Sequence, residues 1–344
     1  MPAPGGPGAS GHRGPGHPLR GRRGDEPDAA ADPVLVPGPW QHRLVPAGGA
    51  RFHVAVREAS PRTGGHDRPG RTAPAPGELV VLLHGFPQHW WAWRHQLVDL
   101  AAAGHRVAAM DLRGFGASDK TPRGYDTPTL ASDVAGVVRA LGASRAVVVG
   151  QGLGGAVAWA MPALEPETTR AVAVLSALPP PTTALRALTP RHVVTHRHAL
   201  GLQVPLVGSH RLRGDLVPEL LARWAGPGWP SPAEARRYAD AMAAPWAARA
   251  AVERHRWEVR SPLRRDGRRF RAATEEPVRV PVLQLHGELD GLVPLAQARP
   301  RPGHAPAGHR LEVVPRAGHF LAEEAPEAVT ALLLDWLAGL PDAA

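Results

Sequence analysis

The stretch VVVGQGLGGA, from Val147 to Ala156, contains the residues whose spacing points most directly to chemistry. Its glycines fit G-x-G-x-x-G, the turn that cradles phosphate in dinucleotide-binding folds. The run also fits a nucleophile elbow, G-x-Nuc-x-G, in which a reactive side chain stands between two glycines. Both turns join a strand to a helix, but they imply different chemistry. In the second alternative the nucleophile position, Gly152, has no side chain.

A second motif, LHGFPQHWWAWR from Leu83 to Arg94, begins with the turn H-G-F-P at the end of a short apolar run. The proline favours an extended or cis geometry that can expose the backbone N–H of Phe86. Such an N–H is half of an oxyanion hole, the pair of donors that stabilises negative charge on a carbonyl oxygen. We therefore predict a site here, with His84 and Trp90 as candidates for its wall.

The run DLRGFGASD, from Asp111 to Asp119, follows this motif, and PRGYD at Pro122–Asp126 comes next. Together these runs resemble the α/β-hydrolase fold and, within it, the branch of epoxide hydrolases and haloalkane dehalogenases. The resemblance extends over most of the chain from about residue 40. It implies a mostly parallel eight-stranded sheet with helices on both faces, an inserted helical cap, and a small organic ester, epoxide or related substrate. It implies no cofactor and no metal.

This resemblance assigns positions within the opening stretch. Gly150 and Gly154 become the flanking glycines, Gln151 precedes the nucleophile position, and the N–H of Leu153 becomes the second oxyanion donor. The N-terminus of the following helix favours negative charge at this point.

Two later turns resemble those that carry the other catalytic residues of the family. QLHGELD ends at Asp290, which becomes the acid in preference to Glu288, and PRAGHF carries His319 as the histidine. The order along the chain of nucleophile position, acid and histidine matches the order in the family. A buried Asp290 would hold His319 in one tautomer and stabilise its protonated form, which gives a general base near neutral pH. The structural alternative is a pair of loop residues that cap helices.

The dinucleotide alternative is disfavoured by its context. A phosphate-binding loop belongs in the first strand–helix unit, with a carboxylate at the end of the next strand. Here several strands precede the loop, and the next strand ends AVLSAL, Ala173–Leu178, without an acid. The opening stretch is therefore predicted to be an elbow that lacks its nucleophile.

A glycine at the nucleophile position excludes a covalent ester intermediate at that position. Four alternatives stay open. His319 could activate water directly, Ser176 could act as a relocated nucleophile, or the histidine and acid could abstract a proton as in lyases and cofactor-free oxygenases of this fold. The chain could also be a binding protein without activity. Ser118, in the turn after Asp111, is expected to be structural.

The predicted cap departs from the epoxide hydrolases, which use cap tyrosines to donate hydrogen bonds to the epoxide oxygen. Tyr238 is the single tyrosine between residues 179 and 278, and AVERHRW at Ala251–Trp257 stands where an aromatic pair is expected. Epoxide opening is thus disfavoured on two counts: the nucleophile position is a glycine, and the expected pair of cap tyrosines is missing.

Short β-branched runs that alternate with helical stretches must position these motifs. The predicted strands are Arg51–Arg57, Leu79–His84, Arg106–Asp111, Ala146–Gly150, Arg170–Ser176, Pro281–His286 and His309–Val314. Helical spacing is clearest from Val329 to Leu340. Alternating strands and helices indicate a parallel sheet whose site lies at the carboxyl ends of its strands.

Four segments follow from composition and pattern. Residues 1–33 have almost no large apolar side chains and are predicted to be a disordered tail. Residues 34–178 and 279–344 form the two parts of the core, and residues 179–278 form the helical cap. The glycine- and proline-rich stretch Ser60–Gly77 is predicted to be a surface loop.

The formal net charge of +9 comes almost entirely from dispersed arginines, with Lys120 the only lysine, and no nucleic-acid-binding motif is present. No nucleic-acid partner and no membrane association are expected. The absence of cysteine excludes disulfides and thiolate sites, and we expect a cytoplasmic protein. His192 and His196 share a helical spacing, but no carboxylate completes a zinc site, so they are interpreted, with His198, as cap-surface residues.

Overall fold

A computed structural model describes residues 32–60, 78–179, 197–204, 206–299 and 303–341. The predicted tail lies outside these residues except for its last two positions, as does nearly all of the predicted loop Ser60–Gly77. His192 and His196 also lie outside the described residues.

The central element is an eight-stranded sheet with the strand order β1-β2-β4-β3-β5-β6-β7-β8. Its strands are β1 (Gln41–Ala47), β2 (Ala50–Arg57), β3 (Leu79–Leu83), β4 (Arg106–Met110), β5 (Ala146–Gln151), β6 (Thr169–Leu175), β7 (Val282–Gly287) and β8 (His309–Val314). The pairs β1–β2 and β2–β4 are antiparallel, and all other pairs are parallel. The predicted eight-stranded, mostly parallel sheet is confirmed.

The burial of the strands follows from their residues. β3 (LVVLL) and β5 (AVVVGQ) are buried along their whole length, as expected for parallel strands covered on both faces. β1 (QHRLVPA), at the edge of the sheet, is exposed or half-buried at every residue except Val45. Its polar residues lack a hydrophobic period, and this strand was missing from the seven predicted by sequence.

Helices cover both faces of the sheet. The described α-helices are α1 (Arg94–Ala102), α2 (Thr127–Ala140), α3 (Leu153–Leu164), α4 (Arg197–Gly201), α5 (Val207–Leu212), α6 (Leu216–Trp224), α7 (Pro232–Ala243), α8 (Ala247–Arg260), α9 (Arg265–Glu275), α10 (Leu295–Ala298), α11 (Leu321–Glu324) and α12 (Pro326–Ala338). α2 packs against α3, and α1 packs against α12. Two apolar clusters result, one including side chains of α2 and α3 and the other side chains of α1 and α12.

Helices α4–α9 follow β6 and precede β7, within the interval predicted to be helical, and they are called the inserted helices below. Their apolar residues join the same cluster as α2 and α3, for example Leu220, Trp224 and Tyr238. Within the described ranges, none of the helices is both long enough and apolar enough to span a bilayer.

Glycines permit the close approach of β3, β5 and α3. A Cβ atom on Gly154, in the first turn of α3, would lie 2.3 Å from the backbone oxygen of Leu83. A Cβ atom on Gly150 would lie 2.2 Å from the backbone oxygen of Gly154. Backbone contacts of this kind cannot yield as a flexible side chain does, so the turn between β5 and α3 requires these glycines.

The close approach predicts the effect of a single methyl group. We expect Gly154→Ala to lower the free energy of unfolding by about 1–3 kcal/mol or more, because the added methyl overlaps backbone atoms. Gly201→Ala is the matched control, since a Cβ atom there meets nothing within 4 Å. In a helix this change is neutral or stabilising by up to about 1 kcal/mol. Denaturant unfolding of the two variants measures the difference, and equal stability would contradict the steric argument.

Candidate active site

The turn after β5 places Gly152 at the carboxyl edge of the sheet. Gly152 has φ 52° and ψ −111°, a backbone conformation that side chains of L-residues rarely adopt. Its N–H donates to the Leu175 carbonyl at 2.9 Å, and the Gly154 N–H donates to the His84 carbonyl at 3.0 Å. The turn is thus fixed to the ends of both neighbouring strands.

His319 and Asp290 lie in the loops after β8 and β7, and the structure brings them together. The Nδ1 atom of His319 is 3.1 Å from both carboxylate oxygens of Asp290. The backbone N–H of His319 donates to the Trp224 carbonyl at 2.9 Å, and the Trp224 ring lies edge-on to the imidazole. Both side chains are almost fully buried.

The surroundings of Asp290 favour its charged form. Its Oδ1 atom accepts hydrogen bonds from the N–H groups of Leu292 and Val293, each at 2.8 Å. Burial alone would raise the pKa of the carboxyl, but His319 and the Val293 N–H outweigh this, so the pKa lies below its ordinary value of 3.8. Glu288 is exposed and accepts instead from the Arg316 N–H.

The imidazole of His319 points to the space that a side chain at position 152 would fill. A Cβ atom built on Gly152 would lie 2.9 Å from Nε2 of His319. Because a carboxylate can only accept, Nδ1 carries the proton that it donates to Asp290, and Nε2 is then the free acceptor of the neutral ring. A proton acceptor therefore faces an empty position at the strand–helix turn.

Gly152 and His319 line a cavity of about 340 Å³. Phe86 and Leu153, the residues predicted to supply oxyanion donors, line the same cavity. The peptide bond between Phe86 and Pro87 is cis. The Phe86 ring packs edge-on against His255 with 4.5 Å between ring centroids.

Three predicted candidates lie behind this cavity and do not line it. His84 has Nδ1 2.8 Å from the Gly85 carbonyl, and its Nε2 accepts from the Leu112 N–H at 3.1 Å. Burial lowers the pKa of His84, although Asp111 and the Gly85 carbonyl oppose this. Both ring nitrogens are occupied, so His84 holds the H-G-F-P turn against the end of β4.

Gln151 and Trp90 are likewise engaged in the interior. Gln151 donates to the Gln88 side chain at 2.9 Å and accepts from the Ala322 N–H at 3.0 Å. Trp90 is fully buried, and its indole N–H donates to the Val34 carbonyl at 2.8 Å. Sequence position alone did not reveal which way these side chains point.

The two serines have different surroundings. Ser176 lines the cavity, has φ 48°, and its hydroxyl is buried without a hydrogen-bond partner. Ser118 accepts from the His53 N–H at 2.9 Å and donates to the Asp111 carbonyl at 2.6 Å. These two bonds are structural, as expected for Ser118.

Tyr238 does not line the cavity. It is fully buried, and its hydroxyl donates to the Glu323 carboxylate at 2.6 Å. Among the described residues that line the cavity there is no tyrosine.

Several lining residues come from the inserted helices and were missed by the sequence reasoning. They are His198, Trp224, Arg254, His255, Trp257, Glu258, Phe270 and Arg271. His198 was expected at the surface, but it is buried against the Trp224 ring with 4.7 Å between centroids. Arg254 stands three residues after buried Ala251 and three before buried Trp257, and this spacing signals an arginine on the apolar face of α8.

Over the described parts of the chain, no three histidine, aspartate or glutamate side chains are grouped as a metal site would require.

The comparisons agree with this fold. Residues 78–326 match the family model described as "alpha/beta hydrolase fold". Epoxide hydrolase A of Mycobacterium tuberculosis is 31% identical over 295 residues, covering 76% of this chain and 91% of that protein. An AB hydrolase superfamily protein of Bacillus subtilis, YfhM, is 30% identical over 268 residues, covering 76% of this chain and 90% of that protein.

A solved epoxide hydrolase from an endophytic Streptomyces superposes with a TM-score of 0.72 at 26% identity, over 88% of this chain and 96% of that one. The chain belongs to the α/β-hydrolase family. Within this family it resembles the epoxide hydrolases.

The low pKa of Asp290 predicts a pH effect on stability. Because this pKa lies below the unfolded value, the carboxylate stabilises the fold above pH 3.8, and the contribution is lost as pH falls through the folded-state pKa. We expect Asp290→Asn to lower the free energy of unfolding by about 1–3 kcal/mol at neutral pH, with a difference that shrinks in acid.

Denaturant unfolding of the wild type and of Asp290→Asn, from neutral pH to below pH 3.8, measures the effect. Glu288→Gln, at the exposed neighbouring acid, is the control and should change stability by less than about 0.5 kcal/mol. A difference for Asp290→Asn that stays constant as the pH falls would contradict the ionic contribution.

Proposed function

We propose that the protein is a hydrolase of small organic esters in which His319 activates a water molecule directly. The observation that carries this proposal is the 2.9 Å distance between Nε2 of His319 and the position of a Cβ on Gly152. The space of a nucleophilic side chain is therefore open beside a histidine that accepts protons. A water there would lie within hydrogen-bond reach of Nε2, as a general base requires.

In the proposed reaction, water adds to the carbonyl carbon, and the tetrahedral intermediate that results then collapses. Nε2 takes a proton from the water as its oxygen attacks the carbonyl carbon, and the carbonyl oxygen becomes an oxyanion. The N–H groups of Phe86 and Leu153 are proposed to hold this oxyanion, aided by the N-terminus of α3. Asp290 stabilises the imidazolium, which then returns the proton to the leaving alkoxide and yields acid and alcohol.

This route predicts modest rates, because the covalent intermediate of the related enzymes cannot form at Gly152. In triad hydrolases that lose one member, the oxyanion hole and binding still give roughly 10³- to 10⁴-fold acceleration over water. We expect this protein to accelerate ester hydrolysis over the reaction in water by a factor in that range. The helices α4–α9 are proposed to act as the cap that encloses the substrate.

An ester fits the donors of the cavity better than an epoxide does. Opening an epoxide ring requires a donor for its departing oxygen, and Tyr238 is instead bonded to Glu323. Two backbone N–H groups suit a carbonyl oxygen that becomes negative in the transition state. Epoxides therefore enter the test as the second substrate class.

Gly152 also supports a second function, a binding protein that has lost its activity. In that case the cavity holds a small molecule without converting it, and His319 and Asp290 are structural remnants. Proton abstraction without a nucleophile, as in lyases or cofactor-free oxygenases, uses the same pair of residues.

Turnover of p-nitrophenyl butyrate and styrene oxide tests the role of His319. We expect slow hydrolysis of the ester by the wild type and a fall in kcat/KM of roughly 10²- to 10⁴-fold in His319→Ala, because the general base is lost. His210→Ala, at an exposed histidine on α5, is the matched control and should retain full activity.

Gly152→Asp and Gly152→Ser complete the test. An inactive wild type with activity in either variant would show an assembled site that lacks only its nucleophile, and would favour the binding protein. The positive φ of Gly152 strains any added side chain, so folding of both variants is checked by circular dichroism.

The role of Ser176 is tested separately. Direct attack by water predicts that Ser176→Ala keeps its ester turnover and that mass spectrometry of the reacting wild type detects no acyl adduct. Loss of turnover in Ser176→Ala together with an adduct on Ser176 in the wild type would replace water by this serine as the attacking group.

A further inference from the structure

Arg254 is a buried charge that the proposed reaction does not use. Its side chain on α8 is 2% exposed, and its Nη2 atom pairs with Oε1 of Glu258 at 3.1 Å. The Nε and Nη1 atoms are enclosed and have no hydrogen-bond partner. Buried polar groups are nearly always paired, because an unpaired buried donor costs free energy. Arg254 therefore has hydrogen-bonding capacity that the protein alone does not satisfy.

The place of Arg254 connects this capacity to the active site. Arg254 lines the same cavity as Gly152 and His319, and the partly buried Arg271 also lines it. Glu258 is the one acid among the described lining residues. Two guanidinium groups against one carboxylate give the wall of this cavity a positive balance, which favours an anionic ligand.

The acids near Arg254 leave part of the hydrogen-bonding capacity of its guanidinium unused. Glu258 contacts a single nitrogen, and its own side chain is 43% exposed. Asp126, which also acts on Arg254, is engaged at the N-terminus of α2 with the N–H and hydroxyl of Thr129. Burial lowers the pKa of Arg254 while Glu258 and Asp126 oppose this, and a guanidinium stays protonated in proteins.

We infer that the cavity binds a small molecule that carries a carboxylate, with Arg254 as the group that recognises it. A guanidinium offers donors in a rigid plane that matches a carboxylate, and such charge-assisted bonds are the strong ones. Apolar rings of Trp257 and Phe270 line the cavity and suit the carbon chain of such a ligand. As a statement about substrate this inference rests on the proposed function: the substrate is then an ester with a free carboxylate elsewhere on the molecule.

Calorimetric titration of the full-length protein with hexanoate and hexanamide tests the inference without turnover. The two ligands have the same carbon chain and differ in charge. We expect hexanoate to bind the wild type roughly tenfold to a hundredfold more tightly than hexanamide. Arg254→Gln should remove this preference. Arg256→Gln, on the same helix and paired with Glu253, should keep it.

Glu258→Gln keeps the test decisive if Arg254→Gln does not fold. Removing the single paired anion should strengthen hexanoate binding, because Arg254 then lacks a competing partner. Equal binding of hexanoate and hexanamide to the wild type, no binding of either, or a preference that survives in Arg254→Gln would overturn the inference. Unchanged hexanoate binding in Glu258→Gln would also count against it.

Ester turnover separates this result from the proposed function. Hydrolysis of monomethyl glutarate in preference to dimethyl glutarate would support both proposals. A protein that prefers hexanoate but hydrolyses no ester retains the carboxylate site and loses the hydrolase proposal. A protein that hydrolyses esters with no preference for hexanoate retains the hydrolase and loses the carboxylate site.

Discussion

The contact between two strands and one helix at the carboxyl edge of the sheet determines the geometry of this site. Backbone atoms of Leu83, Gly150 and Gly154 approach so closely that neither glycine leaves room for a methyl group. This contact sets the direction in which β5 turns into α3, and it therefore sets where position 152 stands. The cavity, the histidine loop and the inserted helices are arranged around that turn.

A buried polar network supports the turn from behind. Gln88 accepts from Gln151 at 2.9 Å and donates to Glu323 at 2.6 Å, and Glu323 also pairs with Arg94. Burial raises the pKa of Glu323, while Arg94 and Tyr238 lower it in part. The network joins the H-G-F-P loop, the turn at Gly152 and the start of α11. Directly hydrogen-bonded charged and amide groups hold fixed distances, so these segments keep their relative positions.

Sequence patterns were informative where a local rule controls the structure. Buried strands such as β3 and β5 have continuous apolar runs, and the loops that carry Asp290 and His319 follow strands whose ends meet at one edge. The patterns failed where tertiary contacts decide. β1 is a polar edge strand stabilised by pairing with β2, and the directions of His84, Gln151 and Trp90 depend on partners distant in the chain. The sequence did not distinguish Arg254 from the other arginines, because its burial depends on how α8 packs in the fold.

The positive φ of Gly152 has a consequence for the stability of the whole protein. Residues with side chains are strained in this conformation, typically by about 1–3 kcal/mol, and proteins tolerate such strain mainly at sites of function. A glycine releases it. The chain thus avoids this strain at position 152, and any side chain introduced there destabilises the turn. A nucleophilic side chain placed at this turn therefore lowers the stability of the fold unless stabilising changes elsewhere offset it.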